Sequence, residues 1–167
     1  MITKVLTTVL LCTFSGFTLT SCPFCHPDIV QNQIVLEGEN LIVLQDRSPI
    51  TKGHLLIIPK RHVVKAHELS EIEWKELHVI VPKIVTLLQN FFHTDQYLFF
   101  ERNGGYAGQT VPHVHFHVIP ITSEHHSLHV KASLYAKVFD ILPAKLNNDE
   151  LREEVLFFRD CFESFID

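Results

Sequence analysis

A chain of 167 residues, 46% hydrophobic and 20% charged, is long enough to bury one sizeable core and too apolar to be a disordered segment. Its formal net charge of −5 excludes a general binder of nucleic-acid backbone, which carries a basic face. A small nucleotide held by a few local donors stays open.

In chain order, residues 1–21 come first and differ from the rest. Lys4 is their only charge, and Val5 to Leu19 is apolar or hydroxylated, the pattern of a short signal sequence. The segment is too short and too polar for a membrane span. It ends Leu19-Thr20-Ser21-Cys22, which resembles the bacterial lipoprotein processing site where the cysteine is lipidated. The alternative is an extension whose apolar side chains cover the domain formed by residues 22–167. Cys22-Pro23-Phe24-Cys25 can be a redox pair, half a zinc site or coincidence. Nothing nearby resembles a thioredoxin βαβ unit, which favours metal. Lipidation of Cys22 would remove a thiolate ligand, so the two readings of Cys22 exclude each other. Cys12 and Cys161 stand alone.

Gln33 to Glu37 and Leu41 to Gln45 are apolar runs separated by Gly38-Glu39-Asn40, a hairpin signal. Ser48-Pro49 and Lys52-Gly53 mark a turn. His54 to Pro59 reads as a central strand, with Pro59 at its end, where a lost ladder donor is tolerated. Lys52, Lys60, Arg61 and Lys65 are either a local basic cluster or a solvated rim. A long helix follows, opened by a Ser70–Glu73 capping box with Leu69 and Trp74 as a hydrophobic staple. Leu77, Ile80, Val81, Ile84, Leu87, Leu88 and Phe91 form its apolar stripe. Pro82 is expected to kink or restart it, and His78 and His93 fall on its surface. Gln96 to Glu101 is a further strand, and 102–111 a glycine-rich loop. Asn148 to Phe165 is a C-terminal helix with Leu151, Val155, Phe158, Cys161, Phe162 and Phe165 as its stripe. This order predicts an α+β fold, an antiparallel sheet with a long helix and a C-terminal helix.

Between loop and C-terminal helix lies Pro112-His113-Val114-His115-Phe116-His117-Val118-Ile119-Pro120. An extended strand sends alternate side chains to opposite faces. His113, His115 and His117 therefore share one face, and Val114, Phe116 and Val118 enter a core. Three imidazoles in a row can attack, transfer protons or bind metal near neutral pH. The loop before them has glycines at 104, 105 and 108, which let backbone amides turn toward an anion, and Asn103, Gln109 and Thr110 add neutral donors. An imidazole beside bound phosphate can attack phosphorus and divide one hard displacement into two easier ones. No Asp-rich magnesium site is visible, so the positive charge is expected from amides and histidines.

Asn103 and Gly108-Gln109-Thr110-Val111, followed by the histidine strand, closely resemble the histidine-triad (HIT) superfamily of nucleotide hydrolases and transferases. Gly53 to His62 matches its other signature segment, and the resemblance runs from Cys22 to Ile121. Because the third histidine is retained, the chain is similar to the Hint and Fhit branches. The resemblance implies a HIT-like fold and a nucleotide phosphoesterase or phosphoramidase. Such an enzyme cleaves a nucleoside monophosphate from a leaving group through a nucleotidyl-histidine intermediate. The substrate is a dinucleoside polyphosphate or a nucleotide phosphoramidate.

Residue by residue, it implies that His115 is the nucleophile and that His117 contacts the phosphate. Asn103, Gly108, Gln109 and Thr110 belong to the phosphate and leaving-group site. Asp46 would hold the ribose hydroxyls, although it also suits a turn cap, and His54 would lie beside the pocket, although packing at a strand start also fits. Cys22, Cys25, His62 and His113 match a zinc set of two thiolates and two imidazoles, a closed structural site; no organic cofactor is implied. The family pairs as homodimers by extending the sheet. A zinc-bound Cys22 goes with a cytoplasmic enzyme, a lipidated one with a membrane-anchored form. Arg47 stands where the family has an apolar residue, and His125, His126 and His129 match no signature. Two rival readings are a catalytically weak nucleotide-binding sensor or scaffold and a metalloenzyme using the histidine strand.

Overall fold

The structure, a computed structural model, describes residues 22–125, 127–138 and 145–166. The apolar segment 1–21 with Cys12, and His126, lie outside the described residues, as do the side chains of His129 and Phe165. Among the described residues no helix is long and apolar enough to cross a membrane.

Five strands form one antiparallel sheet: β1 (Ile34–Glu37), β2 (Leu41–Gln45), β3 (Leu55–Pro59), β4 (Tyr97–Glu101) and β5 (Phe116–Pro120), in the order β1-β2-β3-β5-β4. The expected hairpin, central strand and later strands are all present within a residue or two. The histidine strand is shorter than its pattern. The ladder starts at Phe116, and the preceding chain is tied instead by the Val114 amide donating to Val63 O at 2.6 Å. The two-residue alternation still governs the side chains: Val114 joins the main core, while His113 and His115 face Cys22 and Phe24.

Each face of the sheet has its own cover. Val43, Leu55, Ile57, Val114, Phe116 and Val118 join the main core beneath α2 (Glu71–Phe92) and α4 (Asn148–Ile166). Ile42, Leu44, Leu56 and Ile58 form a second cluster under Phe24, Val30 and Ile34. Phe24 belongs to a short N-terminal turn, Pro23–Cys25, that leads into α1 (Pro27–Gln31). α3 (Leu128–Val138) sets Leu134 against Ile50 and Ile119. Neither α1 nor α3 was expected from the sequence. The first is a single turn started by Pro27, and the second has a weakly amphipathic pattern.

The α2 stripe is buried at Leu77, Ile80, Ile84, Leu87 and Leu88, but Phe91 is 39% exposed and packs edge-on to Phe157. His78 and His93 are on the surface. The helix runs unbroken through Pro82, so it does not restart there. Pro82 lies on the exposed side, where the carbonyl deprived of its amide donor can meet water. On α4, Leu151, Val155, Phe158 and Phe162 are buried and Cys161 packs at the edge of the same core.

The α2 N-terminus is a charge-assisted cap. Ser70 Oγ accepts from the Glu73 amide, and Glu73 Oε2 accepts from the Ser70 amide at 2.6 Å. The Arg61 guanidinium forks onto both Glu73 carboxylate oxygens at 2.7 Å. Burial alone would raise the Glu73 pKa, but the Arg61 and Ser70 hydrogen bonds outweigh it and hold the carboxyl below its usual range. A depressed folded pKa adds stability above the unfolded value, and that stability is lost as pH falls through the folded one. Denaturant midpoints are therefore expected to drop below about pH 4.5, and Glu73→Gln is expected to flatten that drop while lowering stability at pH 7. Lys60 pairs with Glu37 at 2.8 Å. With Arg61 also paired, these two cations of the basic stretch act as a neutralised rim.

Candidate active site

His113, His115 and His117 are all at least 95% buried on the sheet face opposite the main core. Each ring is oriented by a partner that fixes its tautomer. His115 Nδ1 lies 2.7 Å from His113 O. A carbonyl can only accept, so Nδ1 carries the proton and Nε2 holds a lone pair. His113 Nε2 lies 2.9 Å from Pro59 O, which places its proton on Nε2 and its lone pair on Nδ1. The two neighbouring histidines thus present opposite nitrogens, set by two different carbonyls.

His117 is ordered through a second histidine. The Ile50 amide donates to His54 Nδ1 at 3.1 Å, and His54 Nε2 meets His117 Nδ1 at 2.9 Å. An amide can only donate, so His54 Nδ1 accepts, His54 Nε2–H donates to His117, and the His117 proton sits on Nε2. That Nε2 is buried with no hydrogen-bond partner among the described residues. A buried unpaired donor is costly and suits a ligand atom. The Asp46 carboxylate stands 3.3 Å from His54 Nδ1, placed to stabilise positive charge if the ring gains a proton. Its other oxygen accepts from the Ser48 amide at 2.7 Å. Asp46 is therefore both a turn cap and a member of the site. Burial lowers the pKa of His54, His115 and His117 from the ordinary imidazole value, which favours neutral rings and the lone pair on His115.

Aromatic rings frame these groups. Phe100 stacks on His117 with centroids 4.6 Å apart, and Phe24 meets His115 edge-on at 5.5 Å. Sequence reasoning passed over both, since each is an ordinary apolar residue until the sheet register and the N-terminal turn place it.

The glycine-rich loop behaves differently from an open amide cradle. Gly104 and Gly108 take positive φ as turn geometry requires. The amides of Gly104, Ala107, Gly108 and Gln109 are all engaged inside the loop. Gln109 Nε2 donates to Val64 O at 2.8 Å, Asn103 Oδ1 accepts from the Ala66 amide at 2.9 Å, and the Asn103 amide donates to Glu101. The loop is thus a pre-formed turn tied to residues 64–66, with Thr110 exposed at its end.

Cys22, Cys25, His62 and His113 converge, with four ligand atoms within 4.8 Å of one another. Cys22 Sγ and Cys25 Sγ each lie 3.5 Å from His113 Nδ1, and Cys25 Sγ lies 3.3 Å from His62 Nδ1. A tetrahedral zinc with bonds of about 2.3 Å to sulfur and about 2.0 Å to nitrogen needs S···N edges of about 3.5 Å. The His113 lone pair, fixed by Pro59, points to this cluster. Burial and the adjacent Cys22 push the Cys25 thiol up to about 11, and burial takes His113 down to about 4. A divalent cation among the four atoms offsets the cost of two neighbouring thiolates. The donor set fits zinc and leaves no open position for substrate.

Residues 29–124 match the family model of the HIT domain. The adenosine 5'-monophosphoramidase of Schizosaccharomyces pombe is 36% identical over 114 residues, which covers 66% of this chain and 81% of that protein. The bis(5'-adenosyl)-triphosphatase of Dictyostelium discoideum is 35% identical over 92 residues, 55% of this chain and 62% of the relative. In fold, the chain is similar to a zinc-bound histidine triad family protein from Mycobacterium smegmatis. The TM-score is 0.65 at 24% identity, covering 89% of this chain and 98% of that one.

Proposed function

The chain belongs to the HIT family, and on that footing we propose that it is a hydrolase releasing a nucleoside monophosphate from a phosphate or amine leaving group. One observation carries this reading: the bare Nε2 of His115 and the protonated Nε2 of His117 belong to neighbouring buried rings whose centroids are 4.9 Å apart. A nucleophile and a hydrogen-bond donor side by side suit a two-step displacement. The names of two relatives, an adenosine monophosphoramidase and a diadenosine triphosphatase, support both leaving-group classes.

In the first step the His115 Nε2 lone pair forms a bond to the α-phosphorus. The bond from phosphorus to the leaving oxygen or nitrogen breaks, and its electron pair leaves with that atom, which the His117 Nε2–H stabilises by a hydrogen bond while its proton comes from solvent. In the second step a water oxygen attacks phosphorus and the P–N pair returns to His115. The water's proton passes to solvent, balancing the one taken up by the leaving group, and the nucleoside monophosphate departs. The ribose lies toward Asp46, and Thr110, with the loop turn carrying Asn103, Gly108 and Gln109, borders the phosphate.

Cys22, Cys25, His62 and His113 would hold one zinc, whose contribution is structural: it fastens the N-terminal turn to the histidine strand. The 2% exposure of Cys22 favours a ligand over a lipid-bearing sulfur, and with it a cytoplasmic enzyme whose domain spans 22–167. A second copy of the chain would add to the open edge at β4, where Tyr97, Phe99 and Trp74 are exposed.

The test is release of AMP from adenosine 5'-phosphoramidate and from diadenosine triphosphate, followed by chromatography. Turnover of at least one is expected; turnover of neither, nor of any member of a broad nucleotide panel, overturns the reading in favour of a nucleotide sensor.

A further inference from the structure

The turn from Cys22 to Cys25 joins the four-residue cluster to the nucleophile. Both sulfurs belong to a set of ligand atoms that all lie within 4.8 Å of one another, and the Cys25 amide closes the turn onto Cys22 O at 3.0 Å. Between the cysteines stands Phe24, whose ring meets His113 at 5.8 Å and His115 at 5.5 Å, edge-on in both cases. The two sulfurs differ in access. Cys22 is 2% exposed, whereas Cys25 is half-buried. Four consecutive residues thus hold a thiol that solvent reaches, a thiol that it does not, and an aromatic ring set against the nucleophile.

We propose that this pair is a redox switch: a hydroperoxide oxidises Cys25 and Cys22 to a disulfide, zinc leaves, and nucleotide binding weakens. This rests on the zinc-bound reading of the cluster given above. Bound to zinc, both sulfurs are thiolates, the form that attacks a peroxide. The accessible Cys25 sulfur attacks one peroxide oxygen, the O–O bond breaks, and hydroxide leaves with the electron pair. Cys25 is now a sulfenic acid, oxidised by two electrons as the peroxide is reduced. The Cys22 thiolate then attacks the Cys25 sulfur, an S–S bond forms, and the second hydroxide departs. Two thiolates and one hydrogen peroxide give one disulfide and two hydroxides. Neither sulfur is left as a thiolate, so the cluster loses half of its donors to the cation.

Two links carry this change to the nucleophile. The His113 ring loses what held its Nδ1, and the carbonyl of the same residue orients His115 Nδ1 at 2.7 Å. Joining the two sulfurs also reshapes the turn that sets Phe24 against the His115 ring.

The experiment treats the zinc-loaded full chain with hydrogen peroxide. The chain carries Cys12→Ser and Cys161→Ser, so that of its four cysteines only this pair remains. Released metal is read with a chromogenic chelator, the disulfide by intact mass, and AMP affinity by calorimetry. Zinc is expected to fall from about one per chain to almost none, the mass of the metal-free chain to drop by about 2 Da, and AMP to bind about tenfold more weakly. The far-ultraviolet circular dichroism should stay unchanged, and dithiothreitol with added zinc should restore all three readings. If the double variant melts more than about 5 °C below wild type, wild type takes its place, with the disulfide located by peptide mapping. Zinc that stays bound, a pair that stays reduced, or an AMP affinity unmoved by the disulfide would each overturn the proposal alone. A chain that binds no zinc when supplied with it overturns the zinc reading and the proposal together.

Discussion

His115→Ala is expected to lower single-turnover nucleotidyl transfer by about three orders of magnitude or more, while AMP affinity stays within a few-fold. The size follows from geometry. His115 contributes the only nitrogen of the triad that holds a fixed lone pair outside the metal cluster: His113 points its lone pair at Cys22 and Cys25, and His117 has its lone pair engaged by His54. No neighbouring ring can take over the attack without reversing a hydrogen bond to a backbone group. Intact-mass analysis after brief exposure to substrate should show a nucleotidyl adduct on wild type and none on the variant. A variant retaining a tenth of the wild-type rate would sink the nucleophile assignment.

Removal of zinc is expected to have the largest effect on stability. Wild type should carry about one zinc per chain, and Cys22→Ser with Cys25→Ser should carry almost none. Zinc held by four such ligands in small peptides contributes about 10–16 kcal/mol of apparent binding energy. Part of that remains here as the packing of Phe24, Val30 and Ile34 on the second core cluster. A loss of several kcal/mol, roughly 10–15 °C in melting midpoint, is therefore expected. Turnover of the folded fraction should fall as well, because the His113 carbonyl that orients His115 belongs to the same residue whose ring enters the cluster. Metal analysis and thermal melts before and after chelation measure this. Unchanged melting with complete metal loss would remove the structural role.

Much of this arrangement could be read from residue order. The Ser70–Glu73 box, the β2 and β3 runs and the three alternating histidines are local patterns whose meaning survives folding. The four-residue cluster of Cys22, Cys25, His62 and His113 came into view through resemblance, and the fold brings those atoms together. What sequence could not supply were pairings made by register. His117 sits opposite Leu56 and Phe100, and that alone puts Phe100 on its ring and His54 at its Nδ1. Arg102 is adjacent to Asn103, yet only the fold sets its guanidinium beside the Phe100 ring. The loop amides were less legible: glycines suggested an open cradle, whereas the amides of Gly104, Ala107, Gly108 and Gln109 bond within a closed turn. Pro82 does not end the helix, since a helix breaker costs less where its orphaned carbonyl faces solvent.

The contact between Cys22 and His113 spans 91 positions of the chain, and this separation bears on time as well as on shape. Contacts of such range form late, because the intervening loop must first be closed. Cys22 leaves the ribosome long before the residue it must meet has been made. The sheet and long helix can assemble around local hairpins in the meantime. The nucleophile's orientation is therefore among the last features to mature, and a newly made chain should gain its fold before it gains its chemistry.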